Sequence, residues 1–228
     1  MTAPDDGLVR CDWAVGRPGP DFALYRDYHD QEWGRPLHSR VPLFERMSLE
    51  AFQSGLSWLI ILRKRENFRR AFDGFDIETV ARYTDADVAR LMADQGIVRN
   101  RAKIEATIAN ARAAADIDDL SELLWSFAPA PRPRPATLAE VPNTTTESTA
   151  MARELKRRGF RFVGPTTAYA LMQATGMVDD HLRACWVFSP GDDAGRARPV
   201  EEPGKSGTTG PTVNGNADPE VMHTYPRG

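Results

Sequence analysis

Apolar residues in this chain recur at intervals of three and four, and no segment alternates convincingly at every second position. Such a chain buries stripes on helices, not faces of strands, so the expected fold class is all-α. Helices are expected over roughly 21–33 and 41–54, the second ending at Gly55. Ser57 suits the N-cap of a third, from Trp58 to Phe72. Thr84 and Asp87 have capping-box spacing, with Gly96 as the expected stop. Ile104, Ile108, Ala111 and Ala115 place another helix over 100–115, and a short one covers 121–127. APAPRPRPA (128–136) cannot be helical through its prolines and reads as a surface connection. A helix is expected from about Ser148 to Arg158, a break at RGFRFVGP (158–165), and a helix over 165–175.

Composition sets the domain boundary. From Ser189 the chain turns rich in Gly, Pro and polar residues and lacks the apolar density to offset its ordering entropy. The expected organisation is one helical domain over 1–188 and a disordered tail over 189–228. No apolar run approaches the roughly 18 residues of a membrane helix. MTAPDDGLVRCDW lacks a basic patch followed by an apolar segment, so the expected location is the cytoplasm. A net charge of −3 does not announce a nucleic-acid binder. Basic clusters occur at 63–70, 99–103 and 156–161, and by themselves they read as solvated helix faces.

Two cysteines make no disulfide scaffold. Each, however, has a histidine in its own stretch of chain: Cys11 with His29, and His181 with Cys185 in HLRAC, spaced for one face of a helical turn. Together they form a Cys₂His₂ set suited to Zn²⁺. Four protein ligands leave no open position, so such a metal would be structural and would tie the start of the domain to its end. Spacing alone leaves a second possibility, two buried free cysteines and two ordinary histidines.

CDW (11–13), YHDQEWG (28–34), LEAFQSGLSW (49–58), LRKRENFRRAF (62–72), LKRRGFRFVGPT (155–166) and DDHLRAC (179–185) resemble, in order, the bacterial 3-methyladenine DNA glycosylase I family. That resemblance implies one structural zinc on Cys11, His29, His181 and Cys185. It implies a helix-hairpin-helix DNA glycosylase acting on alkylated double-stranded DNA, without an obligate partner and as a monomer. The expected reaction is excision of 3-methyladenine by hydrolysis, with no strand-cutting step, since Pro165 and Thr166 follow Gly164 where a lysine nucleophile would be needed. A zinc-stapled protein that binds lesions without cleaving is the alternative.

The resemblance also assigns roles. Tyr28 and Trp58 would hold the base and Glu50 would hydrogen-bond it and serve catalysis. Read unaided, these are a surface ring, a core anchor and a boundary glutamate close to the Leu43/Met47 line. Leu56, beside Gly55, is a candidate wedge on a projecting turn that would fill the gap left by a flipped base. Arg158, Gly159, Gly164 and Thr166 would anchor DNA at the hairpin, where the two glycines permit a tight turn facing a phosphate. Asp179, in VDDH (178–181), occupies the position of the aspartate that stabilises the sugar cation in many related glycosylases. Its other reading is the N-cap of a helix bearing His181.

Overall fold

A computed structural model describes residues 6–15, 19 and 21–187, and every regular element among them is helical. The elements are α1 (Phe22–Gln31), α2 (Arg40–Gln53), α3 (Trp58–Ala71), α4 (Ile77–Ala81), α5 (Asp85–Ala93), α6 (Arg101–Ala115), α7 (Leu120–Trp125), α8 (Thr146–Arg157) and α9 (Pro165–Ala174), with 3₁₀ turns at Asp12–Ala14, Asp73–Phe75 and Leu138–Glu140. The proposed tail over 189–228 lies outside the described residues.

Helix α2 runs through the centre and packs on α3, α6, α7 and α9. All but one of its last eleven residues are buried, polar ones included: Arg46, Ser48, Glu50 and Gln53. Apolar burial on one side of it is dense. Phe52 meets Phe68 at 4.6 Å between ring centroids, and Phe72 stacks on Phe75 at 5.4 Å and 8°. Each such ring contributes about 1.5–3 kcal/mol by leaving water. A buried helix with four polar side chains therefore draws its stability from its neighbours and carries a destabilising load of its own.

Local chemistry accounts for the boundaries, with corrections. Thr84 and Asp87 form the expected capping box of α5, but the helix stops at Ala93, not Gly96. Asp94 ends it by accepting from the Gly96 N–H through its side chain, which turns the chain early. Helix α8 starts at Thr146, ahead of the expected Ser148, because Thr145 caps it in a reciprocal pair with Ser148. Ser57 occupies the N-cap position of α3 but its hydroxyl makes no capping bond. Helix α4 was not expected, being too short to show a period; Asp76 caps it through the Thr79 N–H. The proline-rich 128–136 stretch is non-helical as expected, yet not purely a surface connection. Pro135 is buried and its carbonyl accepts from the Arg183 N–H.

Candidate functional site: an aromatic and acidic cage beside a Cys₂His₂ clip

Tyr28 from α1, Glu50 from α2 and Trp58 from the start of α3 are 2%, 3% and 2% exposed. Tyr28 is thus no surface ring and Glu50 no boundary residue. The Tyr28 and Trp58 rings stand 5.3 Å apart at 47°, and Trp13 closes on Tyr28 at 6.4 Å and on Tyr25 at 5.7 Å. Two polar atoms here are buried without a partner: Glu50 Oε2 and Trp58 Nε1. Leaving such a group unsatisfied costs about 1–3 kcal/mol. Native proteins keep few of them, and a pair in one cage makes this the candidate ligand site of the described residues. Burial pushes the Glu50 carboxyl up to about 7, while the Arg46 guanidinium on the preceding turn of α2 pulls the other way. The cage can therefore offer a carboxylate acceptor, an indole N–H donor and π-faces to a flat, polar-edged ring, and favours a cationic one.

Arg46, Glu32 and Arg65 escaped the sequence reading. Arg46 Nη1 donates to Tyr28 Oη at 2.8 Å, and its Cζ lies 5.1 Å from the Tyr28 ring centroid and 5.9 Å from that of Trp58. Glu32 accepts from Arg46 at 3.2 Å and from both terminal nitrogens of Arg65 at 2.6 and 2.8 Å. The available signal was helical spacing: Arg46 lies one turn before Glu50, and Glu32 one turn after Tyr28.

Cys11, His29, His181 and Cys185 converge, all buried, with their ligand atoms within 4.8 Å of one another. Cys185 Sγ lies 3.5 Å from His29 Nε2 and 3.6 Å from His181 Nδ1, and Cys11 Sγ lies 3.7 Å from His181 Nδ1. Tetrahedral Zn²⁺ with bonds of ~2.3 Å to sulfur and ~2.0–2.1 Å to nitrogen would separate S from N by about 3.5–3.6 Å. The outer partners set the ring tautomers to match. His29 Nδ1 sits 2.7 Å from Asp30 Oδ1, and His181 Nε2 sits 3.1 Å from the Trp33 carbonyl. With protons on those nitrogens, the lone pairs on His29 Nε2 and His181 Nδ1 face the two sulfurs. Asp30 is itself gripped by Arg10, and the Leu182 N–H donates to Cys11 Sγ. Two buried thiols this close do not both ionise: the neighbouring Cys185, and then burial, drive the Cys11 thiol upward, which a divalent cation would reverse. The donor set fits a structural metal. His181 and Cys185 meet through a turn closed by Cys185 N–H to the Leu182 carbonyl, not through the helical turn expected from their spacing.

Asp179 therefore caps no helix. It receives Arg134 Nε at 2.7 Å, and its other oxygen accepts from the His181 N–H at 3.2 Å, bracing the turn that bears two clip residues. Its neighbour Asp180 is buried and bound by Tyr169, Gln173 and Arg132.

Helices α8 and α9 pack together across the 158–164 hairpin. Gly159 takes φ +94°, as expected of a tight turn, but Gly164 has an ordinary φ of −83°. The second left-handed position belongs to Phe162, at φ +56° and 43% exposed. Asn110 on α6, another residue missed from sequence, holds this loop by donating to the Arg161 carbonyl at 3.0 Å and accepting from its N–H at 2.7 Å. Thr166 is half-buried on the first turn of α9, after Pro165. Arg158 and Arg157 are both paired with Glu154, so this cluster is partly neutralised. The 63–70 cluster is likewise partly neutralised, through Arg63 to Asp21, Arg65 to Glu32 and Arg69 to Glu45. Leu56 follows Gly55 (φ +80°) on a turn held by Lys103, whose Nζ donates to the Phe52 and Ser54 carbonyls at 2.9 and 2.6 Å. It is half-buried against the core, less projecting than expected.

A helical domain whose caged aromatic pair sits beside a carboxylate oxygen and an indole N–H without partners can enclose a single planar, polar-edged ring. The comparisons specify which. A family model described as methyladenine glycosylase matches residues 20–188. DNA-3-methyladenine glycosylase 1 of Escherichia coli (strain K12) is 44% identical over 191 residues, covering 81% of this chain and 99% of that protein. A crystal structure of a 3-methyladenine DNA glycosylase I superposes with a TM-score of 0.73 at 43% identity, over 78% of this chain and 98% of that one. A tyrosine-to-phenylalanine variant of 3-methyladenine DNA glycosylase I in complex with 3-methyladenine gives 0.71 at 34%, over 77% and 96%. The chain belongs to the methyladenine glycosylase family.

Proposed function

We propose that this protein is a DNA-3-methyladenine glycosylase, a base-excision repair hydrolase acting on alkylated duplex DNA. The observation that carries the reading is the cage: Glu50 Oε2 and Trp58 Nε1 buried without partners beside the Tyr28 ring. Adenine methylated at N3 in DNA is cationic, so ring faces and the Glu50 carboxylate favour it over plain adenine. The target nucleotide must leave the stack to reach such a site, at a cost of a few kcal/mol. Water then adds to C1′ as the C1′–N9 bond breaks. The bonding pair quenches the positive charge of the base, which departs neutral, and the proton of the water passes to solvent. The products are free 3-methyladenine and an abasic site. The methylated base is already a good leaving group, so Glu50 binds it and stabilises the cation without having to act as a strong general acid.

Cys11, His29, His181 and Cys185 would hold one structural Zn²⁺, which supplies rigidity and no chemistry. His29 adjoins Tyr28 on α1, so the clip orients the helix that carries a wall of the cage. The α8–α9 hairpin would serve as a helix-hairpin-helix anchor. Backbone N–H groups around Gly159 and Gly164 and the N-terminus of α9 at Thr166 would face phosphate, with Arg158 adding charge. Leu56 would enter the stack. The protein would act as a monomer in the cytoplasm; no described helix is long and apolar enough to cross a membrane.

Incubation of the purified protein with methylated DNA, with chromatography of the released bases, tests the reading: 3-methyladenine is expected, and its absence overturns it. Leu56→Ala is expected to weaken binding to an abasic-site duplex about tenfold, measured by fluorescence anisotropy; unchanged affinity would remove the wedge. With its carboxylate committed to Arg134 and the His181 N–H, Asp179 acts as a brace. Asp179→Asn is accordingly expected to leave single-turnover excision rates within about twofold. A drop of 10³ or more would make Asp179 a catalytic group instead.

A further inference from the structure

We infer that Arg46 is a specificity-determining positioning residue: by occupying the acceptor side of the Tyr28 hydroxyl, it makes that hydroxyl a donor only toward the base. This deepens the base-excision reading and rests on it. A guanidinium has no acceptor. Its N–H at 2.8 Å from Tyr28 Oη therefore consumes a lone pair of the hydroxyl and leaves the Tyr28 O–H to be given elsewhere. No acceptor receives it among the described residues, and burial holds the phenol protonated. The cage then presents two donors, Tyr28 O–H and Trp58 Nε1–H, and one acceptor, Glu50.

That polarity matches adenine. Its exocyclic amino group donates, and its ring nitrogens N1 and N7 accept. Guanine reverses two of these features. It carries O6 where adenine has the amino group, and an N1–H where adenine has a bare nitrogen. In the inferred pose N1 of the base lies against Tyr28, where a donor-only tyrosine donates to adenine's bare nitrogen but meets guanine's N1–H as a clash of donors. A hydroxyl free to rotate could accept from it.

A buried guanidinium beside a pocket for a cationic base would ordinarily repel its own substrate. Here the charge is balanced at Nη2, the terminal nitrogen that does not meet Tyr28. Glu32 accepts from Arg46 and is itself held by both terminal nitrogens of Arg65. With Glu50 one turn along, the four groups sum to zero formal charge when both carboxylates are ionised. Arg46 is thereby tolerated as a hydrogen-bond donor whose field is largely cancelled.

The experiment measures the release of 3-methyladenine and 3-methylguanine from the same methylated duplex under single-turnover conditions. It compares wild type, Arg46→Met, Arg46→Lys, Tyr28→Phe and the Arg46→Met/Tyr28→Phe pair. Arg46→Met is expected to lower the ratio of the two release rates about tenfold. Arg46→Lys, which keeps a donor and a charge, is expected to retain most of it. Because Arg46 works through the hydroxyl, the double variant should match Tyr28→Phe in this ratio. If Arg46→Met slows both lesions by one common factor, or if the single effects on the ratio multiply in the double variant, the inference is overturned. Should Arg46→Met not fold, Arg46→Gln takes its place: its amide can donate or accept, so the ratio should again fall, and an unchanged ratio overturns the inference. A wild-type protein releasing no methylated base overturns the base-excision reading as well, and does so before any substitution is made.

Discussion

Chelation of the zinc proposed for the Cys₂His₂ clip is expected to lower the melting temperature by more than about 10 °C. Zinc bound by thiolates and imidazoles contributes on the order of 10 kcal/mol in small folded sites. In a domain of this size, each kcal/mol of stability moves the midpoint by about 2–4 °C. Even a fraction of the binding energy produces the shift. The clip joins a residue before α1 and one on α1 to two beyond α9, so its loss frees both ends of the domain at once. Cys185→Ser should reproduce the effect without chelator, since a serine oxygen is a poor ligand for this ion. Excision should fail together with structure, because His29 sits next to Tyr28. Elemental analysis and differential scanning calorimetry provide the check. A pure, metal-free protein with an unchanged midpoint would contradict the structural zinc outright.

Glu50→Gln is expected to reduce excision of 3-methyladenine about a hundredfold while making the protein more stable at pH 8. Hydrogen bonds to charged groups contribute about 1.5–3 kcal/mol, and a neutral amide forfeits the attraction for a cationic base. Stability moves in the opposite direction. Burial raises the Glu50 carboxyl from 4.5 to about 7. Between those values the folded protein keeps a proton that the unfolded chain has released, so stability falls as pH rises through that window. The loss approaches about 3 kcal/mol above pH 7. The glutamine variant escapes it. Urea titrations of both proteins at pH 5 and pH 8 should therefore show the gap in favour of the variant opening with pH. A gap that does not change with pH would mean that Glu50 is not held in a desolvated site. In the proposed role the same carboxylate would weaken the fold where it serves the substrate, as expected of a group kept unpartnered for function.

Much of the molecule was readable along the chain because its determinants are local. Caps, helical spacing and proline breaks placed eight of the helices, and the Thr84–Asp87 box did so through groups three residues apart. Errors fell where a short-range competitor won. Asp94 ended α5 ahead of Gly96, and Phe162, not Gly164, took the left-handed position in the hairpin. Helix α4 had too few residues to reveal a period. The electrostatic frame of the cage was missed because its members come from α2, α3 and the turn that follows α1. Nothing in a linear pattern says that Arg46 will lie against Tyr28, or that Glu32 will be shared by Arg46 and Arg65.

By itself, the sequence determined that the chain is helical, where most helices begin, and which two cysteines and histidines were available as soft ligands. These follow from residue type and spacing, which act over one or two turns. Only the tertiary structure decided that those ligands share one centre, that Tyr28, Glu50 and Trp58 are buried together, and that two of their polar atoms are left without partners. Such facts depend on which surfaces the helices bury against one another, and burial is what raises the Glu50 carboxyl and makes an unsatisfied group worth a ligand's hydrogen bond.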